Sequence, residues 1–101
     1  MLLILSGLPG TGKTTIADAL ARRLRAVHIR IDSIEQAIRD SGVATGSMDD
    51  AGYRVGYAVA EDNLRLGLTV IADSVNPLPI TRAAWREVGA RAAKPAVEIE
   101  I

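Results

Sequence analysis

The sequence predicts an α/β domain in which a parallel sheet carries helices on both faces. Short apolar runs, such as residues 2–5 and 68–72, alternate with segments in which apolar residues recur at helical spacing. Runs that are apolar at nearly every position suit strands that are covered on both sides. Strands that are separated by helices pair in parallel through right-handed crossovers. With 101 residues, the chain corresponds to one domain, 1–101.

The first strand, residues 2–5, leads through a loop that contains glycines into a helix. In that helix Ile16, Leu20 and Leu24 recur every four residues. This spacing puts the three side chains on one face, and we expect that face to contact the sheet.

A second strand and a second helix follow. The stretch VHIRI, residues 27–31, alternates apolar and polar residues and predicts a strand that ends at Asp32. His28 falls on the polar face of this strand, where we expect a surface histidine. Ser33 and Gln36 have the spacing of a capping box, so we expect the next helix to begin at Ser33.

The second half of the chain predicts a helix, a strand, a helix and a strand. Asp49 or Asp50 is expected to cap the first of these helices and Gly67 to end it. The other three elements are expected at residues 68–72, about 80–93 and 97–101. The predicted order of elements is therefore β-α-β-α-α-β-α-β.

Three aromatic side chains are candidates for the core. Tyr53 and Tyr57 share a helix face with Ala60 and Leu64. We expect both tyrosines to pack in the core. The alternative is that they form the wall of a pocket for an acceptor substrate. Trp85 is expected to pack against the sheet.

The composition excludes several classes of protein. The chain has 12 basic and 12 acidic residues, a balance that lacks the electrostatic footprint of nucleic-acid or anionic-membrane binding. It has no cysteine, which excludes disulfides, thiol catalysis and cysteine-ligated zinc. No apolar stretch approaches the roughly 18 residues that would span a membrane. We expect a cytoplasmic protein without membrane contact, and the composition leaves the oligomeric state open.

The loop after the first strand carries the clearest chemistry. Residues 7–14, GLPGTGKT, match the phosphate-binding pattern G-x-x-x-x-G-K-[ST] between a strand and a helix. Glycines let backbone N–H groups surround an anion, the helix N-terminus adds partial positive charge, and a lysine there reaches the β- and γ-phosphates. We therefore expect a P-loop fold that binds ATP through Gly10, Thr11, Gly12, Lys13, Thr14 and Thr15.

Two aspartates follow predicted strands, at the edge where open α/β sheets bind ligands. Asp73 follows the apolar run 68–72 as a Walker B aspartate does, and we expect it to hold Mg²⁺ together with the Thr14 hydroxyl. A capping or loop role is the alternative for Asp73. Asp32 is expected to accept the proton of an acceptor hydroxyl, with Lys13 as the other candidate catalytic residue. Capping of the following helix is the alternative for Asp32.

Three segments together resemble the small P-loop kinases of the shikimate kinase, gluconate kinase, chloramphenicol phosphotransferase and polynucleotide kinase type. The segments are GLPGTGKTT at 7–15, IRIDSIEQAI at 29–38 and GLTVIADSVNPLPITRAAW at 67–85. The second segment is similar to the part of chloramphenicol phosphotransferase whose acceptor-site aspartate falls on Asp32. The third is similar to a polynucleotide kinase pattern, carried here by Asp73, Asn76, Arg82 and Trp85.

The resemblance implies a nucleoside-monophosphate-kinase-like P-loop fold with ATP and Mg²⁺ as cofactors. It also implies transfer of the γ-phosphate of ATP to a hydroxyl of a small-molecule acceptor. Such kinases continue for several tens of residues with a lid and a further strand. We therefore expect the chain to lack the C-terminal part of the domain.

The chain departs from polynucleotide kinases at one position. Those enzymes carry Asp-x-x-Arg in the second segment, and Glu35 stands at the position of the arginine. An acidic side chain repels a polyanionic acceptor, which favours a neutral or cationic hydroxyl compound over nucleic acid.

Other functions stay open at this point. The chain is alternatively a nucleotide-binding or ATPase module without phosphotransfer, or a polynucleotide-kinase-like enzyme. Neither Lys13 nor Lys94, the two lysines, lies in an Asn/Thr-Lys-x-Asp motif, so guanine specificity is not expected. Arg82 is expected either to contact phosphate or to pair with a nearby carboxylate.

Overall fold

The computed structural model describes residues 1–7, 12–42, 51–74 and 79–101, and its elements follow the predicted order. The candidate caps Asp49 and Asp50 and the motif residue Asn76 lie outside the described residues. The strands are β1 Leu2–Ser6, β2 Val27–Arg30, β3 Val70–Asp73 and β4 Ala96–Glu100. The helices are α1 Lys13–Leu24, α2 Ile31–Ser41, α3 Ala51–Arg65 and α4 Pro79–Arg91.

The four strands form one parallel sheet in the order β2-β3-β1-β4. Leu5 pairs with Asp73 and Ile99, and Arg30 pairs with Asp73. Because the strands are parallel, their carboxyl ends meet at the same edge of the sheet. The predicted fold class is therefore confirmed, and this edge is where ligands bind in such sheets.

Helices cover both faces of the sheet. On one face, Leu3, Leu5 and Ile71 pack with Ala17 of α1. On the other face, a larger cluster of strand residues packs with side chains of α3 and α4, among them Leu64 and Val88. Within the described part of the chain, no helix is long and apolar enough to cross a membrane.

The face of α1 that contacts the sheet matches the predicted stripe only in part, since of its three residues Leu20 packs against the sheet cluster. Ala17 is fully buried, whereas Ile16 and Leu24 are 41% and 47% exposed. Lys13 lies one turn before Ala17 on the same side of the helix and is itself buried. The contact of Lys13 with the end of β3, described below, therefore sets which side of α1 faces the sheet.

The junction between β2 and α2 also differs from the prediction. The strand ends at Arg30 and the helix begins at Ile31, two residues before Ser33. Arg30 is the N-cap residue and no side chain caps this helix. Ile31 is buried in the core, and the chain turns into the helix at that residue. The expected strand end at Asp32 and the expected capping box of Ser33 and Gln36 are therefore wrong.

The aromatic residues pack as predicted. Trp85 is fully buried under the sheet, and Tyr53 and Tyr57 pack against the same core. The rings of Tyr57 and Trp85 meet edge to face with centroids 4.7 Å apart. Gly67 ends the helical segment with a φ of 86°, as expected of a glycine after a helix.

Gly56 of α3 packs closely against Ile31 and Trp85 in this core. A Cβ atom at residue 56 would lie 2.6 Å from Ile31 Cδ1 and 3.5 Å from Trp85 Cη2. Overpacking of this kind costs about 1–3 kcal/mol, which exceeds the roughly 0.5–1 kcal/mol that alanine gains over glycine inside a helix. We expect Gly56→Ala to lower the free energy of unfolding, measured by urea denaturation.

A second substitution tests the same contact by removing Ile31 Cδ1, the atom nearest to the added methyl group. Ile31→Val deletes Cδ1 and should cost about 0.5–1.5 kcal/mol in the wild-type background. In the Gly56→Ala background it should cost less or stabilise the protein, because the clash is relieved. Strict additivity of the two substitutions would contradict the proposed steric conflict.

Candidate functional site

A buried ion pair joins the start of α1 to the end of β3. Gly12, the N-cap residue of α1, has φ 83° and ψ 8°, a left-handed conformation that glycine adopts without strain. The helix therefore begins at Lys13, whose Nζ donates a hydrogen bond of 2.6 Å to Asp73 Oδ1. The exposed fractions of Lys13 and Asp73 are only 8% and 3%. The lysine of the loop motif and the aspartate that follows the apolar run 68–72 thus meet at the carboxyl edge of the sheet.

The backbone after Asp73 is anchored from the opposite face of the sheet. Ser74 is buried, and its Oγ accepts a hydrogen bond of 3.3 Å from the Trp85 indole Nε1. An indole N–H that is buried in a core normally finds such a partner. Trp85 therefore packs under the sheet and also holds the residue next to Asp73.

His28 contributes to the site, and the prediction of a surface histidine is wrong. Its ring is mostly buried, and Nε2 lies 2.9 Å from Asp73 Oδ2. Its Nδ1 lies 3.2 Å from Asp18 Oδ1 on α1. The polar face of β2 does not face solvent, because α1 lies on the same side of the sheet. Both ring nitrogens therefore face carboxylates, and the alternation of VHIRI alone does not indicate this.

Asp73 is surrounded by positive charge. Besides Lys13, Arg30 is a cationic group near this carboxylate, with Nε 3.9 Å from Asp73 Oδ2. Burial raises the pKa of the Asp73 carboxyl, but the hydrogen bonds and charges of Lys13 and His28 together outweigh it and lower the pKa. Asp73 is thus held as a carboxylate, the form that binds a metal ion.

The remaining residues of the predicted nucleotide site lie at the start of α1. Thr14 and Thr15 are exposed in its first turn. The first N–H groups of a helix have no partner within it, and they face outward at this end. Gly10 and Thr11 lie outside the described residues. The described part of the site therefore combines helix N–H groups, two hydroxyls and the Lys13 ammonium.

Asp32 does not join this cluster. It is exposed in the first turn of α2, two residues after the end of β2. Among the described residues, no hydrogen bond or ion pair links it to Lys13 or Asp73. Asp32 borders an open surface groove with Arg30 and Ser33. The alternative role that the sequence left open for Asp32, capping of α2, is excluded because Arg30 occupies the N-cap position.

Glu35 and Arg82 have different surroundings. Glu35 is half-buried and packs over Gly52 of α3, since a Cβ atom at residue 52 would lie 2.5 Å from its Cγ. Arg82 Nε lies 3.9 Å from Glu98 Oε1, and Arg86 Nη1 donates a hydrogen bond of 2.7 Å to Glu98 Oε2. Of the two alternatives for Arg82, the structure favours the pair with a carboxylate.

A double-mutant cycle tests whether the buried ion pair stabilises the fold. We expect Lys13→Met and Asp73→Asn each to lower the free energy of unfolding, because each leaves a buried partner without its counterion. The coupling energy should be about 0.5–3 kcal/mol in urea denaturation without nucleotide.

A surface pair of equal length is the matched control. Arg65 Nη2 lies 2.6 Å from Glu61 Oε2, but Arg65 is largely exposed. The cycle of Arg65→Met with Glu61→Gln should give about 0.3–0.5 kcal/mol, as for exposed pairs four residues apart in a helix. A coupling at Lys13 and Asp73 no larger than this would contradict the stabilising role of the buried pair.

Known proteins match most of this chain in sequence and in fold. The family model AAA_33, described as an AAA domain, matches residues 2–101. The adenylyl-sulfate kinase of Synechococcus sp. (strain JA-3-3Ab) is 27% identical over 88 residues, which are 81% of this chain and 49% of that protein. The chain thus spans about half the length of this curated relative.

Solved structures share the fold. The APS kinase CysC of Mycobacterium tuberculosis, solved as a point mutant, superposes with a TM-score of 0.80 at 25% identity, over 98% of this chain and 73% of that one. Kti12 of Chaetomium thermophilum, in complex with ADP-AlF3, superposes with a TM-score of 0.77 at 24% identity, over 100% of this chain and 60% of that one. The chain therefore belongs to the AAA_33 family, and its fold is that of the P-loop kinases.

Proposed function

We propose that this protein is an ATP-dependent kinase that transfers the γ-phosphate of ATP to a hydroxyl of a small molecule. The observation that carries the proposal is the buried pair of Lys13 and Asp73 at the start of α1, directly after a complete phosphate-binding loop motif. A lysine and an aspartate that meet at this position are the two charged groups that a nucleotide with magnesium requires.

The nucleotide side of the site consists of backbone N–H groups, hydroxyls and one ammonium. Gly12 opens α1 without a side chain that would obstruct an anion. Among the described residues, apart from its chain neighbours and the backbone of α1, nothing lies within 4 Å of the position that a Cβ atom would take there. The N–H groups and the partial positive charge of the helix start attract phosphate. Lys13 binds the β- and γ-phosphates in this scheme, and a phosphate competes with Asp73 for its ammonium.

Asp73 and Thr14 are the residues that would hold magnesium. A carboxylate and a hydroxyl supply the oxygen ligands that Mg²⁺ prefers, and in such sites the remaining positions are filled by phosphates and water. The low pKa of Asp73 keeps its carboxyl charged and fits this role. Magnesium bound with the nucleotide would neutralise charge on the transferred phosphoryl group.

The acceptor side is assigned to the start of α2. Asp32 is exposed beside Arg30, at the edge where the strands end, so its carboxylate is accessible to a hydroxyl compound. There it would accept the proton of the hydroxyl and orient the oxygen for attack. Glu35, one turn later, disfavours a polyanionic acceptor and favours a neutral or cationic one.

The family and the relatives support a kinase. One curated relative is named for phosphorylation of adenylyl sulfate, and Kti12 was solved with ADP-AlF3. The alternative is a nucleotide-binding or ATPase module without transfer. The separation of Asp32 from the Lys13–Asp73 cluster favours that alternative, so the acceptor side needs its own test.

Removal of the Lys13 ammonium tests the nucleotide site. We expect Lys13→Ala to weaken binding of ATP by about 1.5–3 kcal/mol, the value of a hydrogen bond to a charged group. Calorimetric titration with ATP and Mg²⁺ measures the change. The control is Lys94→Ala, since Lys94 precedes β4 at the opposite edge of the sheet. Equal affinity of the Lys13→Ala variant and the wild type would contradict the assignment.

A second substitution tests the acceptor side. Asp32→Asn should leave the affinity for ATP unchanged and lower phosphotransfer by about 10²–10⁴, the usual contribution of a general base. The measurement is release of ADP that depends on the acceptor, with adenylyl sulfate and with neutral and amine-bearing hydroxyl compounds. Asp62→Asn, an exposed change on α3 outside the groove that Asp32 borders, is the control. Transfer that stays at the wild-type rate in Asp32→Asn would exclude Asp32 as the base.

A further inference from the structure

His28 lies within hydrogen-bond distance of Asp73 and does not belong to the nucleotide-binding motif. Its Nε2 lies 2.9 Å from Asp73 Oδ2, and Lys13 occupies the other oxygen, Oδ1. We propose that His28 is a positioning residue for Asp73 and that Asp18 orients the histidine ring. This inference rests on the proposed function, because it concerns how Asp73 is presented to magnesium.

The register of the sheet explains why the two side chains meet. His28 pairs with Ile71 and Arg30 pairs with Asp73. Residues two apart in a strand share a face, so the side chain of His28 lies on the same face as that of Asp73, two residue pairs further from the strand end. Ile71 packs in the cluster under α1, so this shared face is the one that α1 covers.

Asp18 completes the arrangement from α1. Its Oδ1 lies 3.2 Å from His28 Nδ1, on the side of the ring opposite Asp73. The side chain of Asp18 is 48% exposed, whereas that of His28 is 15% exposed and that of Asp73 is 3% exposed. Three elements, α1, β2 and β3, therefore hold one line of side chains that runs from the surface to the buried carboxylate.

A second partner for Asp73 is needed once Lys13 binds phosphate. Phosphate oxygens draw the ammonium away from Oδ1, and a buried carboxylate without donors is costly. His28 lies on the other oxygen and does not belong to the phosphate loop, so its hydrogen bond persists. Outer partners of metal ligands commonly act in this way, fixing the orientation of the ligand.

The test measures how much Mg²⁺ strengthens ATP binding. ATP is titrated calorimetrically into the purified chain with Mg²⁺ and again with EDTA, and the ratio of the two affinities is the magnesium effect. His28→Leu should lower this ratio about 10–100-fold, the usual effect of removing an outer partner of a metal ligand. His28→Gln retains an N–H near the position of Nε2 and should recover most of the ratio. The affinity in EDTA should not change in either variant.

Two further variants separate positioning from folding. Asp18→Asn alters an exposed side chain and should lower the ratio in the same direction by a smaller factor. Asp62→Asn, an exposed change on α3, should leave it unchanged. Thermal melts identify any variant that does not fold. If His28→Leu is unfolded, His28→Gln is compared with His28→Asn. The shorter amide of asparagine lies on the Asp18 side, so the magnesium effect should be lower in His28→Asn than in His28→Gln.

The outcomes distinguish this inference from the proposed function. Asp73→Asn is the reference, because it removes the charge of the metal ligand itself. If Asp73→Asn lowers the magnesium effect but His28→Leu does not, the positioning role of His28 is overturned and the kinase proposal stays intact. An equal loss in His28→Gln, His28→Asn and His28→Leu would also overturn it, because the retained donor would have no effect. If the magnesium effect in Asp73→Asn equals that of the wild type, the role of Asp73 as a magnesium ligand and this inference are both contradicted.

Discussion

The ion pair between Lys13 and Asp73 determines how α1 lies on the sheet. Lys13 is the first residue of the helix and Asp73 is the last residue of β3, so the pair fixes one end of α1 over the strand. Ala17 follows one turn later on the same side and makes the close apolar contact. Ile16 and Leu24 are partly exposed as a consequence. The side of α1 that faces the sheet therefore combines the charged contact of Lys13 with the apolar contacts of Ala17 and Leu20.

Much of the fold could be predicted because its signals are local. The apolar runs of β1 and β3 indicate buried parallel strands, and the loop motif indicates the strand and helix on either side of it. The start of α2 could not be predicted in this way. The capping pattern at Ser33 is local, whereas burial of Ile31 depends on the space beside Gly56 in α3. The tertiary contact prevails over the local cap.

The site was predictable where a motif supplies the residue and not where the topology does. Lys13 and Asp73 belong to recognisable patterns at the ends of strands, and the structure brings them together. His28 belongs to no such pattern. Its position depends on α1 crossing over β2, which follows from the strand order β2-β3-β1-β4 and not from VHIRI itself. A polar residue on a strand indicates a surface only where no helix covers that face.

The apolar core on the opposite face of the sheet links the two acidic residues of the proposed site. Gly56 leaves room for Ile31 and Trp85 in the same part of the core. Ile31 directly precedes Asp32, and Trp85 holds Ser74, which directly follows Asp73. A shift of either buried side chain would move one aspartate relative to the other. The separation between the proposed metal ligand and the proposed base therefore depends on packing at a glycine that touches neither of them.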